Sequence, residues 1–242
     1  FDVLEIDAAV CGEPEALSSM KFIVNATRKE NELAGKVLLA AAAGGRVQIV
    51  KEFLKQWQGI PGFCEFINNL KVVWNASSGG HAKIVELLLG VEKVDANVSL
   101  DMNRSTALSQ ACANGHLKVV NILLGAPGID VNREKTDGRS PLWQACDAGH
   151  IEVVIRLLDV PGIDVNRPQI TTQASPLWMA CQYGYFEVVE QLLLVKGINV
   201  NRPTDKGITP FSVACSNGHV KVMERLLSIK SVDVHRTSKS GS

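Results

Sequence analysis

The sequence predicts an all-α repeat solenoid built from helix-turn-helix units. Glycines recur at spacings of 34 or 35 residues, and each leads into a short apolar run. These glycines are Gly45, Gly80, Gly115, Gly149, Gly184 and Gly218. A fixed period of a few tens of residues indicates that each unit buries its apolar side against the next. We therefore expect function on a surface that recurs from unit to unit.

The composition argues against two classes of partner. Lys plus Arg and Asp plus Glu both number 25 in the 242 residues, so the chain has no overall positive field to attract nucleic acid. Its longest apolar stretch, residues 188–195, is interrupted by Glu190 and Gln191, which argues against a membrane span. We expect neither nucleic-acid binding nor membrane insertion.

The clearest unit begins with a turn and a short helix. Asp137-Gly138 is a turn signal, Ser140 is a helix N-cap, and Pro141 fits the first helical position because that position needs no N–H donor. Gly149 suits a left-handed C-cap. The sequence thus predicts a first helix over 141–148.

A second helix is predicted from about residue 150 to residue 159. It places Ile151, Val154, Leu157 and Leu158 on one apolar stripe, and an extended loop at 161–166 follows. Helices of about nine residues are marginal alone, so stacking must stabilise them.

The same frame returns along the chain and predicts its organisation. It recurs clearly at 106–108, 175–177 and 209–211, and in weaker form at 36–39 and 71–76. We expect a degenerate N-terminal capping repeat at 1–34, a repeat array at 35–236 and a flexible tail at 237–242. The expected units lie near 35–66, 67–100, 101–135, 136–169, 170–204 and 205–236.

These motifs resemble the ankyrin repeat family over the array. The resemblance rests on Ser175-Pro176-Leu177 and Thr209-Pro210-Phe211, on Gly-His pairs, and on Asp-Val-Asn loops at 130–132 and 164–166. The Gly-His pairs stand at 80–81, 115–116, 149–150 and 218–219. Trp143 and Trp178 replace the histidine of the first-helix motif, and Tyr185 replaces a histidine of the Gly-His pair.

A ladder of cysteines raises the question of a metal site. Cys112, Cys146, Cys181 and Cys215 share one repeat position, but stacked helices lie about 8–10 Å apart, too far for these thiols to share a zinc ion. We expect buried free thiols, no metal ligands and a reducing intracellular compartment, most simply the cytoplasm. Four sequons, one of them at Asn75 inside a predicted packed helix, leave secretion as the less favoured alternative.

Two further ladders have structural and functional interpretations. His81, His116, His150 and His219 are expected to hydrogen-bond across the helix junction, because no nucleophile or carboxylate recurs beside them. Trp74, Trp143 and Trp178 form an aromatic stripe that favours packing, with a ligand cage as the alternative. No catalytic or cofactor-binding motif is present, so we predict a protein that is not an enzyme and needs no cofactor.

The resemblance also implies one modification. Asn132, Asn166 and Asn201 each follow a valine and have a leucine eight residues earlier. In ankyrin-like proteins this context is a target for asparagine hydroxylation, which makes these residues candidates. The structural alternative, a loop asparagine that bonds to nearby backbone, is the favoured interpretation.

The resemblance implies that turn tips and the exposed side of the first helices form a concave recognition surface. The frame selects partner-binding candidates at these positions, with Arg139 and Tyr183 as preferred anchors. They are Asn103, Asn114, Asp137, Arg139, Asp147, Thr172, Gln182, Tyr183, Lys206 and Asn217. Ser105 and Ala174 belong to the same tips.

The sequence thus predicts a non-catalytic protein–protein interaction module, an adaptor or scaffold that binds a protein through its concave surface. The alternative is a structural or regulatory ankyrin segment of a larger enzyme, channel or multisubunit assembly.

Overall fold

The structure, a computed structural model, describes residues 28–57, 62–99 and 102–235. These ranges contain thirteen α-helices and no β-strand. The helices are α1 Arg28–Ala43, α2 Val47–Trp57, α3 Phe63–Asn69, α4 Val72–Ser78, α5 Ala82–Leu89, α6 Ala107–Ala113, α7 Leu117–Leu124, α8 Pro141–Ala148, α9 Ile151–Leu158, α10 Pro176–Tyr183, α11 Phe186–Leu193, α12 Pro210–Ser216 and α13 Val220–Leu227. The prediction of an all-α fold built from helix-turn-helix units is confirmed.

Most of the two predicted terminal segments, the capping repeat and the tail, lies outside the described residues. Residues 1–27 of the predicted capping repeat and all of the predicted tail at 237–242 lie outside the described residues. Helix α1 begins at Arg28, so one continuous helix crosses the expected junction at residue 35. The division of the chain into repeat units stays a prediction.

The described residues form two compact units. The first comprises 28–57, 62–99, 106–108 and 118–129, and the second comprises 102–105, 109–117 and 130–235. In the first unit α1 packs on α2 and α4, and α5 packs on α2 and α4. In the second, α8, α10 and α12 lie in one row, α9, α11 and α13 lie in another, and each first helix packs on its own second helix.

Helix α3 was not expected from the repeat frame. An aromatic cluster stabilises it: the Trp57 ring lies 4.9 Å from Phe53, 5.6 Å from Phe63 and 5.2 Å from Phe66, between ring centroids. Such ring pairs add about 0.5–1.5 kcal/mol beyond their buried area. Tertiary packing therefore holds a seven-residue helix whose sequence carries no strong helix signal.

The predicted caps of α8 are confirmed. The Ser140 hydroxyl accepts a hydrogen bond from the Trp143 amide, Pro141 occupies the first turn, and Gly149 ends the helix with φ 72°.

The predicted stripe of α9 is partly wrong. Val153 is buried together with Val154 and Leu157, whereas Ile151 and Leu158 are only half-buried. The buried stripe at 153, 154 and 157 therefore begins two residues after the predicted stripe and ends one residue before it.

A lysine in a left-handed loop position supplies a stability prediction. Lys93 has φ 67°, and the residues one, two and three periods later are Gly128, Gly162 and Gly197. A left-handed conformation costs a residue with a side chain about 1–2 kcal/mol, partly offset in glycine by chain entropy. We expect Lys93→Gly to stabilise the protein by roughly 0.5–1 kcal/mol in urea unfolding.

The converse substitution is the control. Gly162 has φ 82° and nothing lies within 4 Å of a Cβ added to it, so Gly162→Ala should destabilise by about 1 kcal/mol through backbone conformation alone. Loss of stability in Lys93→Gly would contradict the assignment of this loop position.

Candidate protein-interaction surface

The turn tips of the second unit are joined to one another by backbone hydrogen bonds. The Thr136 amide donates to the Asn103 carbonyl at 2.9 Å, Ile170 to Asp137 at 2.8 Å, and Asp205 to Thr172 at 3.0 Å. Each bond joins residues 33 positions apart. The carbonyls of three candidate residues thus fix the next tip, while their side chains remain outside this ladder.

One tip is held by an ion pair. The Arg139 guanidinium contacts the Asp137 carboxylate at 2.6 Å and 2.7 Å, and its Cζ lies 5.6 Å from the centre of the Trp143 ring. Burial opposes ionisation of Asp137, but the hydrogen bonds and charge of Arg139 outweigh it and lower the pKa of that carboxyl. The same hydrogen bond raises the pKa of Arg139. Asp137 and Arg139, two of the candidate residues, therefore form an ion pair that is partly shielded from solvent.

The tryptophans that replace the motif histidine support the tips. The indole N–H of Trp143 donates to the Ala174 carbonyl at 2.9 Å, and that of Trp178 donates to the Ile208 carbonyl at 3.1 Å. Trp143 is 5% exposed and packs with Ala174 and Met179, while Trp178 is half-buried. These contacts support the packing interpretation over a ligand cage at both positions.

The ends of the first helices carry the remaining candidates. Tyr183, 49% exposed, lies 5.6 Å from the ring of Tyr185, and the Asn217 side chain donates to the Gln182 carbonyl at 2.9 Å. Asp147 is half-buried near the end of α8. Burial raises the pKa of Asp147, and the charge of Arg139 only reduces this effect.

All ten candidates lie in the second unit, where they differ in exposure. The exposed ones are Asn103, Asn114, Thr172, Tyr183, Lys206 and Asn217, and the half-buried ones are Asp137, Arg139, Asp147 and Gln182. We call these ten residues the candidate surface. Two other predicted tip residues are excluded, because Ser105 and Ala174 are buried at 3% and 2% exposure.

The histidine ladder joins neighbouring repeats. The Nε2 of His150 donates to the Ala113 carbonyl at 3.1 Å, and that of His219 donates to the Gln182 carbonyl at 3.0 Å. In the first unit His81 contacts the Ala43 carbonyl in the same way at 2.9 Å. The sequence predicted hydrogen bonds across the helix junction without identifying the repeat that accepts them. Stacking brings each ring to the first-helix end of the preceding repeat.

The loop asparagines bond in the opposite direction, to the backbone of the following loop. The Asn166 side chain donates to the Gly197 carbonyl at 2.8 Å and accepts from the Asn199 amide at 2.8 Å. Asn132 and Asn201 make the equivalent pairs of bonds. The structural alternative is therefore correct in kind, but the partner backbone lies 30–33 residues ahead rather than nearby in sequence.

The cysteine ladder is buried at three of its four positions. Cys112, Cys146 and Cys181 are buried free thiols, whereas Cys215 is half-buried. Burial raises the pKa of all four thiols. In the ranges that the structure covers, no group of three or more His, Cys, Asp or Glu side chains is placed to hold a metal ion.

This burial predicts an order of thiol reactivity. Thiolates are the reacting species, so in the native protein we expect iodoacetamide to modify the half-buried Cys64 and Cys215 well before Cys112, Cys146 or Cys181. Peptide mass spectrometry over time measures the order, and labelling in urea, where all should react, is the control. Equal native rates for Cys146 and Cys64 would contradict the packing.

Two contributors to the surface were missed from the sequence. Tyr185 was treated as a replaced histidine, yet its ring supports Tyr183. Ile170, 55% exposed, stands at a tip beside Gly138. The loop from Asn166 to Ser175 is one residue longer than those from Asn132 to Ser140 and from Asn201 to Thr209, and this additional residue was the available signal.

Comparison with known families agrees with this geometry. A family model described as ankyrin repeats matches three overlapping stretches, residues 37–135, 72–169 and 166–238. A comparison with curated proteins finds no significant match. None of the described helices is long and apolar enough to cross a membrane. Matched over most of its length and built from paired helices with linked turn tips, the chain belongs to the ankyrin repeat family.

Proposed function

We propose that the candidate surface binds a protein partner and that this binding is the function of the chain. Ankyrin repeats are generally protein–protein interaction modules. The observation that carries the proposal is that the groups that hold each tip in place differ from the side chains that the tip exposes. Backbone groups and indole N–H groups hold the tips, as in the Ile170 to Asp137 and Trp143 to Ala174 bonds, while the side chains at 103, 172 and 206 are exposed.

This arrangement favours binding because little order has to be created. Immobilising a flexible side chain costs about 0.5–1.5 kcal/mol on association, so a surface whose backbone is already fixed retains more of its contact energy. Arg139 is held by Asp137 and Trp143, and Tyr183 is held by Tyr185. Both anchors therefore present preorganised groups of the types that dominate interface energetics.

We also propose that the role is non-catalytic and that the chain works in a reducing, cytoplasmic compartment. The Nε2 atoms of His81, His150 and His219 are committed to backbone carbonyls, which supports a structural role for this ladder. Free buried thiols support the compartment.

Affinity capture from a lysate of the source cells tests the proposed surface. The variant carries Arg139→Ala, Tyr183→Ala and Lys206→Glu. The matched control carries Glu187→Ala, Leu194→Ala and Lys221→Glu, three exposed positions in or next to the second helices. A protein retained by the parent and the control but lost by the folded surface variant is expected. Equal recovery by all three would reject this surface and favour the structural or regulatory role in a larger assembly.

Hydroxylation of Asn132, Asn166 and Asn201 remains a proposal that rests on the family context. Their amide groups bridge successive loops, so we expect modification at the side-chain carbon to proceed only when the loop opens. Mass spectrometry of protein from its source cells should find one added oxygen on these residues, with the engaged loop residue Asn97 as an internal comparison.

A further inference from the structure

Asp147 occupies an unfavourable place for a carboxylate. It is the seventh residue of α8, near the C-terminal end where the helix dipole is negative, and it is half-buried. Burial raises the pKa of its carboxyl group. Among the described residues no hydrogen bond to this carboxylate is found, so its negative charge is incompletely compensated.

Stacking does not explain the choice of aspartate. The residues at the same position of neighbouring repeats, two before the helix-ending glycine, are Ala113, Gln182 and Ser216, and none is charged. A polar or small side chain therefore satisfies the repeat frame. The carboxylate of Asp147 is an addition that packing does not require.

The cation whose charge acts on Asp147 is already engaged elsewhere. Arg139 lowers the pKa of Asp147 through its charge, but its guanidinium contacts Asp137 at 2.6 Å and 2.7 Å and lies over the Trp143 ring. A guanidinium held in this way does not turn to Asp147 without breaking those contacts. Arg139 therefore acts on Asp147 through its charge and leaves the carboxylate available to a cation of a partner.

An aromatic pair lies against the same end of α8. An ideal Cβ on Gly149 would lie 2.8 Å from the Tyr185 ring, so that ring rests on the backbone two residues after Asp147. The ring of Tyr183 lies 5.6 Å from that of Tyr185, at an angle of 32°, and Tyr183 is half exposed. A carboxylate and an accessible ring therefore lie at the ends of the adjacent helices α8 and α10.

We propose that Asp147 and Tyr183 together receive an arginine or lysine side chain of the protein partner. The carboxylate supplies a charge-assisted hydrogen bond and the ring face attracts the cation. This inference rests on the proposed function and specifies its chemistry: the partner presents a basic side chain within the segment that contacts the candidate surface.

The free protein bears a stability cost for this carboxylate, and binding offsets it. Asp147→Asn keeps the shape of the side chain and removes the charge. It should therefore stabilise the free protein and weaken binding, two opposite effects. A merely structural Asp147 would give the opposite sign for stability, because its loss would lower the melting temperature.

The matched control is Asp159→Asn. Asp159 is the C-cap of α9, so it also stands at a helix end, but it is exposed and lies in the row of second helices. The substitution makes the same chemical change away from the candidate surface. We expect a smaller rise in melting temperature and no change in peptide preference.

The experiment selects a phage-displayed library of random peptides on the full chain. Peptides that also bind the Arg139→Ala, Tyr183→Ala, Lys206→Glu variant are removed. We expect the remaining sequences to share an arginine or lysine at one position, and Asp147→Asn to bind the best peptide at least about tenfold more weakly. Its melting temperature should rise by roughly 2–4 °C, whereas Asp159→Asn should bind like the parent.

The two ways of failing are distinct. Selected peptides without a recurrent basic residue, bound equally by Asp147→Asn, would overturn this inference and leave the proposed surface intact. A fall in the melting temperature of Asp147→Asn would assign the carboxylate a structural role and overturn the inference as well. Failure to recover any peptide that distinguishes the parent from the surface variant would reject the surface itself and this inference with it.

Discussion

Gly184→Ala is expected to destabilise the protein by about 2–4 kcal/mol, the sum of two effects at one residue. Gly184 has φ 71°, a left-handed conformation that costs alanine about 1–2 kcal/mol. An added Cβ would also clash with the Nδ1 atom of His219. The imidazole would have to leave its place and lose its hydrogen bond to the Gln182 carbonyl. Urea unfolding of the variant measures the loss.

Gly218→Ala is the matched control because it isolates the backbone effect. Gly218 also has φ 71° after a first helix, but nothing lies within 4 Å of a Cβ added there. It should cost only about 1 kcal/mol. Replacing His219 by glycine should remove most of the difference in a double-mutant cycle, since the clashing ring is then absent. Equal costs for the two glycine substitutions would contradict the role assigned to the ring.

Trp143→Ala is expected to destabilise the second unit by about 3–5 kcal/mol, as is usual for a large buried ring. The ring is 5% exposed and packs with Ala174 and Met179. Its removal leaves a cavity, exposes the stacking surface of Arg139 and leaves the Ala174 carbonyl without its indole donor. Thermal or urea unfolding measures the total.

Two further variants divide this loss into packing and hydrogen bonding. Trp143→Phe keeps most of the ring but removes one of the two donors to the Ala174 carbonyl, which still accepts from the Gln169 amide, for an expected cost of about 0.5–1.5 kcal/mol. Trp178→Phe makes the same change at a half-buried ring whose bond to Ile208 is longer, at 3.1 Å. It should cost less. A larger cost at Trp178 than at Trp143 would show that burial does not set the strength of these bonds.

Local signals in the sequence predicted the helices well. The span 141–148 matched α8 because Ser140, Pro141 and Gly149 act through their own backbone neighbours. The register of the α9 stripe was less secure, because Ile151, Val153 and Val154 are all apolar and a short helix leaves the buried face ambiguous. Helix α3 was missed, since its stability comes from rings that are spread over residues 53–66.

Contacts between repeats were the part that the sequence did not determine. The period identified His150 and Asn166 as recurrent, but not that the first bonds backwards to Ala113 and the second forwards to Gly197. Those partners depend on how one unit is placed beside the next. The repeat frame selected the residues of the candidate surface, which stays a proposal, while the supporting role of Tyr185 depended on the same stacking.

The contact between a helix-ending glycine and the ring of the following repeat has a consequence for how such a chain lengthens. Two of the repeats each supply a glycine that contacts the ring of the following repeat and a ring that contacts the glycine of the preceding repeat. Gly149 with His150, and Gly184 with Tyr185, are these two pairs. A tandem gene duplication copies both halves at once, so a new unit already matches both neighbours. Tyr185 stands where other repeats have histidine, so either ring can fill this contact. The turn tips are not part of the contact, and their residues can change in each copy without disturbing it.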